Sequence, residues 1–171
     1  MEEILIVDGY NIIGAWPELR ELKRLRKLEE ARDQLIHWLE EYQAYSGRQV
    51  IVVFDAHQVP GLGKKDQNGR ITVYFTKEDE TADEMIEKLV KKLNLKGRQI
   101  YVATSDYTEQ RVIFAEGALR ISARELALEK DTTKQIIQQN MVKGNKKMKS
   151  NILSSLDDEM IKFFENWRRK K

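Results

Sequence analysis

Four aspartates stand where short apolar runs end. Asp8 closes Ile4–Val7 in Val-Asp-Gly-Tyr-Asn, and Asp55 closes Val50–Phe54 in Phe-Asp-Ala-His. Asp106 follows Gln99–Ala103 in Thr-Ser-Asp, while Asp83 falls in the first helical turn after Ile71–Phe75, with Glu80 just before it. If those runs are strands of an open α/β sheet, ligands bind beyond their carboxyl ends, and four consecutive strands deliver an acid to one edge. Singly, each acid has an ordinary role: Asp106 and Asp83 suit helix N-termini, Asp55 a turn, and Asp8 the bend at Gly9. Together they would repel one another and cost stability unless something cationic offsets them. Hard divalent ions such as Mg²⁺ or Mn²⁺, which take carboxylate and water oxygens, are the natural counterion.

Such a site suits phosphodiester hydrolysis. Acid-held cations lower the pKa of a bound water, orient it for in-line attack and stabilise the leaving oxygen, so no nucleophilic side chain is required. The composition agrees, with no cysteine and only two histidines. His37 reads as a helix residue and His57 as a loop residue. A receiver-like phosphorylation domain also gathers acids at strand ends, but it fits poorly. Strand one brings Asp8 without a second acid, and Arg120 and Arg124, not a lysine, follow strand five.

The elements that must position these acids alternate. Ile4–Val7, Val50–Phe54 and Gln99–Ala103 are continuously apolar, as strands covered on both faces are. Ile71–Phe75 alternates more, as an edge strand does, and Ala118–Ser122 is a weaker fifth. Glu18 to Tyr45 is helical, with a drift in its apolar spacing that suggests two helices. Thr81 with Glu84 forms a capping box for a helix that ends at Asn94 to Gly97. Asp106 with Glu109 opens a short helix stopping at Gly117, and Ser122 with Glu125 opens another. Alternation of strands and helices implies parallel crossovers. The expected fold is a three-layer α/β sandwich around a central parallel sheet of about five strands. One domain spans 1–171. His57–Arg70 and Lys143–Asn151 read as loops, the second basic, and a C-terminal helix covers 155–168.

Charge and composition narrow the partners. No apolar run approaches the ~20 residues that span a bilayer, and the two acids before the first apolar run carry the wrong charge for a signal peptide. A cytoplasmic protein is expected. The net charge of +2 hides an uneven distribution. Lys143, Lys146, Lys147 and Lys149 bunch around Gly144, and Arg20, Lys23, Arg24, Arg26 and Lys27 form a second cluster. Two basic patches suit a polyanion such as RNA; a solvated helix face and a charged tail explain them equally well.

Val-Asp-Gly-Tyr-Asn-Ile-Ile, Val-Phe-Asp-Ala-His, Glu-Thr-Ala-Asp-Glu and Ala-Thr-Ser-Asp-Tyr, in this order over nearly the whole chain, resemble the NYN branch of PIN-like nucleases. Within it they resemble the YacP-like family of bacterial proteins. The resemblance implies a sheet ordered 3-2-1-4-5 and a metal-dependent endoribonuclease. It matches Asp8, Asp83 and Asp106 to the acidic metal-binding positions, with Asp55 joining them. Asn11 matches the asparagine that places the first acid or a phosphate. Thr104 and Ser105 match the small polar residues before the last acid, and both are expected to meet RNA. YacP-like proteins are associated with ribosome-linked messenger RNA cleavage, so a ribosome partner is implied. Lys143, Lys146, Lys147 and Lys149 then become RNA contacts. Tyr10 and Tyr107 become candidates for base stacking, while Trp16 suits the core better. The alternative is a non-catalytic RNA- or ribosome-binding module that keeps the acidic cleft.

Overall fold

The computed structural model describes the backbone of residues 1–56, 65–66, 71–106, 110–111, 113, 115–169. Side chains are described over the same ranges except at 65–66, 150–159, 161, 164 and 168. The chain divides into two compact units, Met1–Lys130 and Asp131–Lys171.

The first unit holds a six-stranded sheet. Its strands are β1 (Glu2–Asp8), β2 (Gln49–Phe54), β3 (Lys65–Asp66), β4 (Thr72–Phe75), β5 (Arg98–Ala103) and β6 (Leu119–Ile121), in the order β3-β4-β2-β1-β5-β6. All pairings are parallel except the two-residue β3 against β4. Without β3 this is the expected five-stranded parallel sheet. Ile71–Phe75, as β4, is the outermost parallel strand on its side of the sheet, as its alternation suggested, and β3 lies along its free side. That two-residue strand falls within a stretch read from sequence as a loop.

The central strand shows why the order holds. Ile4, Leu5, Ile6 and Val7 are all fully buried, and alternate residues serve opposite faces. Leu5 and Val7 join one core cluster with Ile12, Ile13, Leu35, Leu39 and Leu126, while Ile4 and Ile6 join another with Ile86, Leu89 and Val90. Helices α1 (Gly9–Ala15), α2 (Pro17–Arg24), α3 (Leu28–Ser46) and the start of α5 (Ala123–Arg169) thus cover one face. Helix α4 (Ala82–Leu93) covers the other. Three layers result.

Local chemistry fixes the boundaries. Trp16 is extended at ψ 125°, as a residue before proline prefers, and Pro17 starts α2 at a position where its missing N–H costs nothing. The drift in the Glu18–Tyr45 pattern is a real break: Arg26 adopts φ 59°, and Lys27 donates to the Leu22 carbonyl at 2.8 Å in a Schellman-type closure. Thr81 caps α4 by accepting from the Glu84 N–H at 3.2 Å. Ser122 and Glu125 make the full reciprocal box at the start of α5, at 2.8 and 3.1 Å.

Two sequence expectations need correction. The stretch after Asp8 is not a bend but helix α1, and its brevity hid it from any periodic signal. Lys143–Asn151 is helical as well, and no separate helix over 155–168 begins after it. Helix α5 runs unbroken from Ala123 to Arg169. Gly144 and Asn145 look like breakers, but a lone helical glycine costs only ~1 kcal/mol relative to alanine, and lysine and methionine are good helix formers. No helix among the described residues is long and apolar enough to cross a membrane.

Candidate active site

Helix α1 starts directly from β1, so Asp8 is both the last strand residue and the N-cap of the helix. Its side chain is not used as a cap. It is 8% exposed, and its pKa is raised from 3.8 to about 7. Loss of hydration is the first cause, followed by the charge of Asp83; Asp106 and Asp55 add to it. The nearby backbone N–H of Asn11 pulls the other way. All four sequence-predicted aspartates are therefore close enough to act on one carboxyl. Asp83, at the exposed start of α4, is raised too, by partial loss of hydration and then by Asp106, Asp55 and Glu84. Among the described residues neither Asp8 nor Asp83 has an ion-pair partner.

The end of β5 is tied to this edge through polar side chains. Asn11 Oδ1 accepts the Ser105 N–H at 2.7 Å. Thr104 is fully buried, and its hydroxyl accepts the Asp106 N–H at 3.1 Å. Ser105 Oγ accepts the Ala123 N–H at 3.2 Å, which joins the same loop to the start of α5. Thr104 thus shapes the turn that presents Asp106 and is too deep to meet RNA. Half-buried Ser105 is engaged through both its N–H and its hydroxyl.

The end of β2 is fixed in a similar way. Buried Thr76 donates its N–H to the Phe54 carbonyl at 3.0 Å and accepts the Ala56 N–H on its hydroxyl at 2.9 Å, bracketing Asp55. Phe54 packs between Tyr10, at 5.1 Å between ring centroids, and Phe75, at 5.5 Å. Gly9 meets the Phe54 ring so closely that a Cβ there would overlap it. Tyr10 is itself buried, which removes its ring from base stacking, and its hydroxyl accepts from Arg32 Nη1 at 3.1 Å. Neither Arg32 nor Thr76 carried a sequence signal. Arg32 reads as one charge on an amphipathic helix, and Thr76 as a residue just past a strand.

Glu80 is buried and held by Lys88 at 2.9 Å, so it serves as a local anchor for α4. Trp16 is core, donating its indole N–H to the Ala123 carbonyl at 2.8 Å. His37 is exposed beside Glu41. Lys143, Lys146, Lys147 and Lys149 are exposed on α5, the first three on one helix face by their spacing and Lys149 turned away from it. Tyr107 and His57 lie outside the described residues.

The donor set consists of hard oxygens, the chemistry that Mg²⁺ and Mn²⁺ prefer. Among the described residues no three acids already stand in joint ligand geometry. The charge of Asp8 is held back by burial and three neighbouring acids, which is the condition a cation would relieve.

A parallel α/β sheet that gathers aspartates from successive strand ends in this order is the nuclease-type architecture of PIN-like domains. The model of the YacP-like NYN domain matches residues 5–169, and the chain belongs to that family. It is 55% identical over 167 residues to Uncharacterized protein YacP of Bacillus subtilis (strain 168), an alignment that covers 98% of this chain and 97% of that one. The crystal structure of Rae1 (YacP) from Bacillus subtilis is similar at TM-score 0.77 and 55% identity, over 97% of this chain and 94% of that one. A tryptophan-to-leucine variant of the same protein gives TM-score 0.73 at 56% identity, over 82% and 81%.

Proposed function

We propose that this chain is a metal-dependent endoribonuclease, with messenger RNA on the ribosome as its substrate. One observation carries the reading: at a sheet edge, burial and three further aspartates raise the pKa of Asp8 to about 7. Four acids gathered at one edge repel one another and cost stability, and hard-cation binding is the use their chemistry fits. The ribosomal setting rests on the resemblance of the motifs to YacP-like proteins, and a cytoplasmic location goes with it.

In this reading Asp8, Asp83 and Asp106 hold the cation, with Asp55 as a fourth carboxylate. When bound, Mg²⁺ or Mn²⁺ supplies positive charge for the scissile phosphate and acidifies a water for attack. The rest is the work of the chain. Asn11 turns its backbone N–H toward the charge of Asp8 and bonds the Asp106 loop through its side chain. That linkage holds two acids from different strands in one arrangement, which a reaction sensitive to displacements of about 1 Å requires. Exposed Lys143, Lys146, Lys147 and Lys149 offer phosphate contacts whose strength falls with salt.

The test is cleavage of RNA, naked and on ribosomes, by wild-type protein, Asp8→Asn and Asp83→Asn with Mn²⁺ present. Loss of cleavage in both variants, with folding intact by circular dichroism, is the expected result. Full activity in both would remove the nuclease reading. Ribosome binding without cleavage by wild-type protein would support a non-catalytic module instead.

A further inference from the structure

Arg32 is tied to Tyr10, two residues after Asp8, and pairs with no acid among the described residues. Its Nη1 donates to Tyr10 Oη at 3.1 Å, and among the described residues it makes no salt bridge. Arg24, Arg48 and Arg98, in contrast, each lie within 2.6 Å of a glutamate oxygen. Arg32 is half-buried on α3. Tyr10 is anchored by the Phe54 ring, Phe54 immediately precedes Asp55, and the charge of Asp55 reaches the Tyr10 hydroxyl. The phenol therefore meets the Arg32 guanidinium directly and feels the charge of Asp55, orienting the former without neutralising it.

We propose that Arg32 is a phosphate-binding residue of this site, taking the RNA phosphate next to the one that faces the carboxylates; this rests on the ribonuclease reading above. Guanidinium presents five N–H donors in a planar fork that matches phosphate, and Tyr10 occupies one of them. A neutral partner is the suitable one, because a carboxylate on Arg32 would compete with the incoming phosphate. A charge fixed by a rigid aromatic stack also loses little freedom when substrate arrives. The acidic edge repels RNA as a whole, and a cation placed beside it gives the strand a defined path past the carboxylates.

The competing role is structural, with Arg32 only bracing α3 against α1 through Tyr10. Salt dependence separates the two. Binding of a fluorescein-labelled single-stranded RNA oligonucleotide is measured by anisotropy with Mn²⁺ between about 50 and 200 mM KCl. The parent is Asp83→Asn, so that the RNA stays intact, and Arg32→Gln, Arg32→Lys and Tyr10→Phe are added to it. For Arg32→Gln, Kd rises about tenfold and the slope of log K against log salt falls by about 0.7, the share of one phosphate on a single strand. Arg32→Lys keeps the slope and recovers part of the affinity. Tyr10→Phe, which breaks the same hydrogen bond, keeps the slope. An unchanged slope in Arg32→Gln, or an equal fall in Tyr10→Phe, overturns the proposal. Wild-type protein that neither binds nor cuts RNA overturns the nuclease reading and this one with it. Cleavage by wild type combined with an unchanged Arg32→Gln slope overturns this one alone.

Discussion

The side-chain oxygen of Asn11 accepts the backbone N–H of Ser105 at 2.7 Å, joining the first turn of α1 to the loop after β5. The two residues are 94 positions apart in the chain. The bond links the segment carrying Asp8 to the segment carrying Asp106. Asn11→Ala leaves the half-buried Ser105 N–H without this acceptor, at a cost of about 1–2 kcal/mol. Cleavage is expected to fall up to about 100-fold, because the two acids lose their common register. Asn11→Asp retains an acceptor and should restore most of the stability at low pH. Kinetics and thermal unfolding of both variants check this, and an activity loss no larger than the stability change would contradict it.

Stability should depend on pH through Asp8. Its folded pKa is about 7 against an ordinary 3.8. Between those values the folded state holds a proton that the unfolded chain has released. Stability is therefore fullest below the window and declines as pH rises through it. The decline is on the order of 4 kcal/mol without a divalent cation. Asp8→Asn should flatten the profile and be the more stable protein at pH 8 in EDTA. Mn²⁺ should raise the wild-type melting temperature most at that pH, since it binds the folded state. Parallel pH profiles for the two proteins would show that Asp8 is not the group responsible.

Gly9 is required by its close approach to a ring rather than by backbone freedom. Its position against Phe54 leaves no room for a methyl group, and Phe54 cannot retreat because Tyr10 and Phe75 flank it. Gly9→Ala is expected to cost about 1–3 kcal/mol by overpacking. It should also lower activity, since Asp8 and Asp55 adjoin the displaced groups. Thermal unfolding reads the first effect directly. A melting temperature equal to wild type would mean that the ring moves freely.

Lys143, Lys146 and Lys147 are exposed on one face of α5. Replacing all three by glutamine should leave the melting temperature within about 2 °C of wild type. The salt slope for RNA binding should fall by about 0.7 for each phosphate that the variant no longer neutralises. An unchanged slope would assign these residues to solubility alone.

Much of this was legible in the sequence because the strands are buried on both faces. Continuous apolar runs such as Ile4–Val7 leave few alternatives, and the acid following each run then falls at a sheet edge by topology. The two-helix division of Glu18–Tyr45 also showed, through its phase drift. Helix α1 escaped because seven residues are too few for a periodic signal. The course of α5 escaped because Gly144 resembles a stop, although a single helical glycine is too weak to enforce one. Arg32 escaped for another reason: its neighbour Tyr10 is 22 residues away, and no local pattern encodes that meeting. Thr104 was assigned to RNA through the resemblance of its motif, whereas the buried turn uses its hydroxyl for the Asp106 N–H.

If the four aspartates form one cation site, a crystal of the protein soaked in Mn²⁺ should reveal it most directly, with anomalous data collected at the manganese edge. Anomalous density among Asp8, Asp83 and Asp106, absent from Asp8→Asn crystals soaked in parallel, is the expected result. Manganese bound only elsewhere, with these carboxylates directly paired to lysine or arginine, would contradict it.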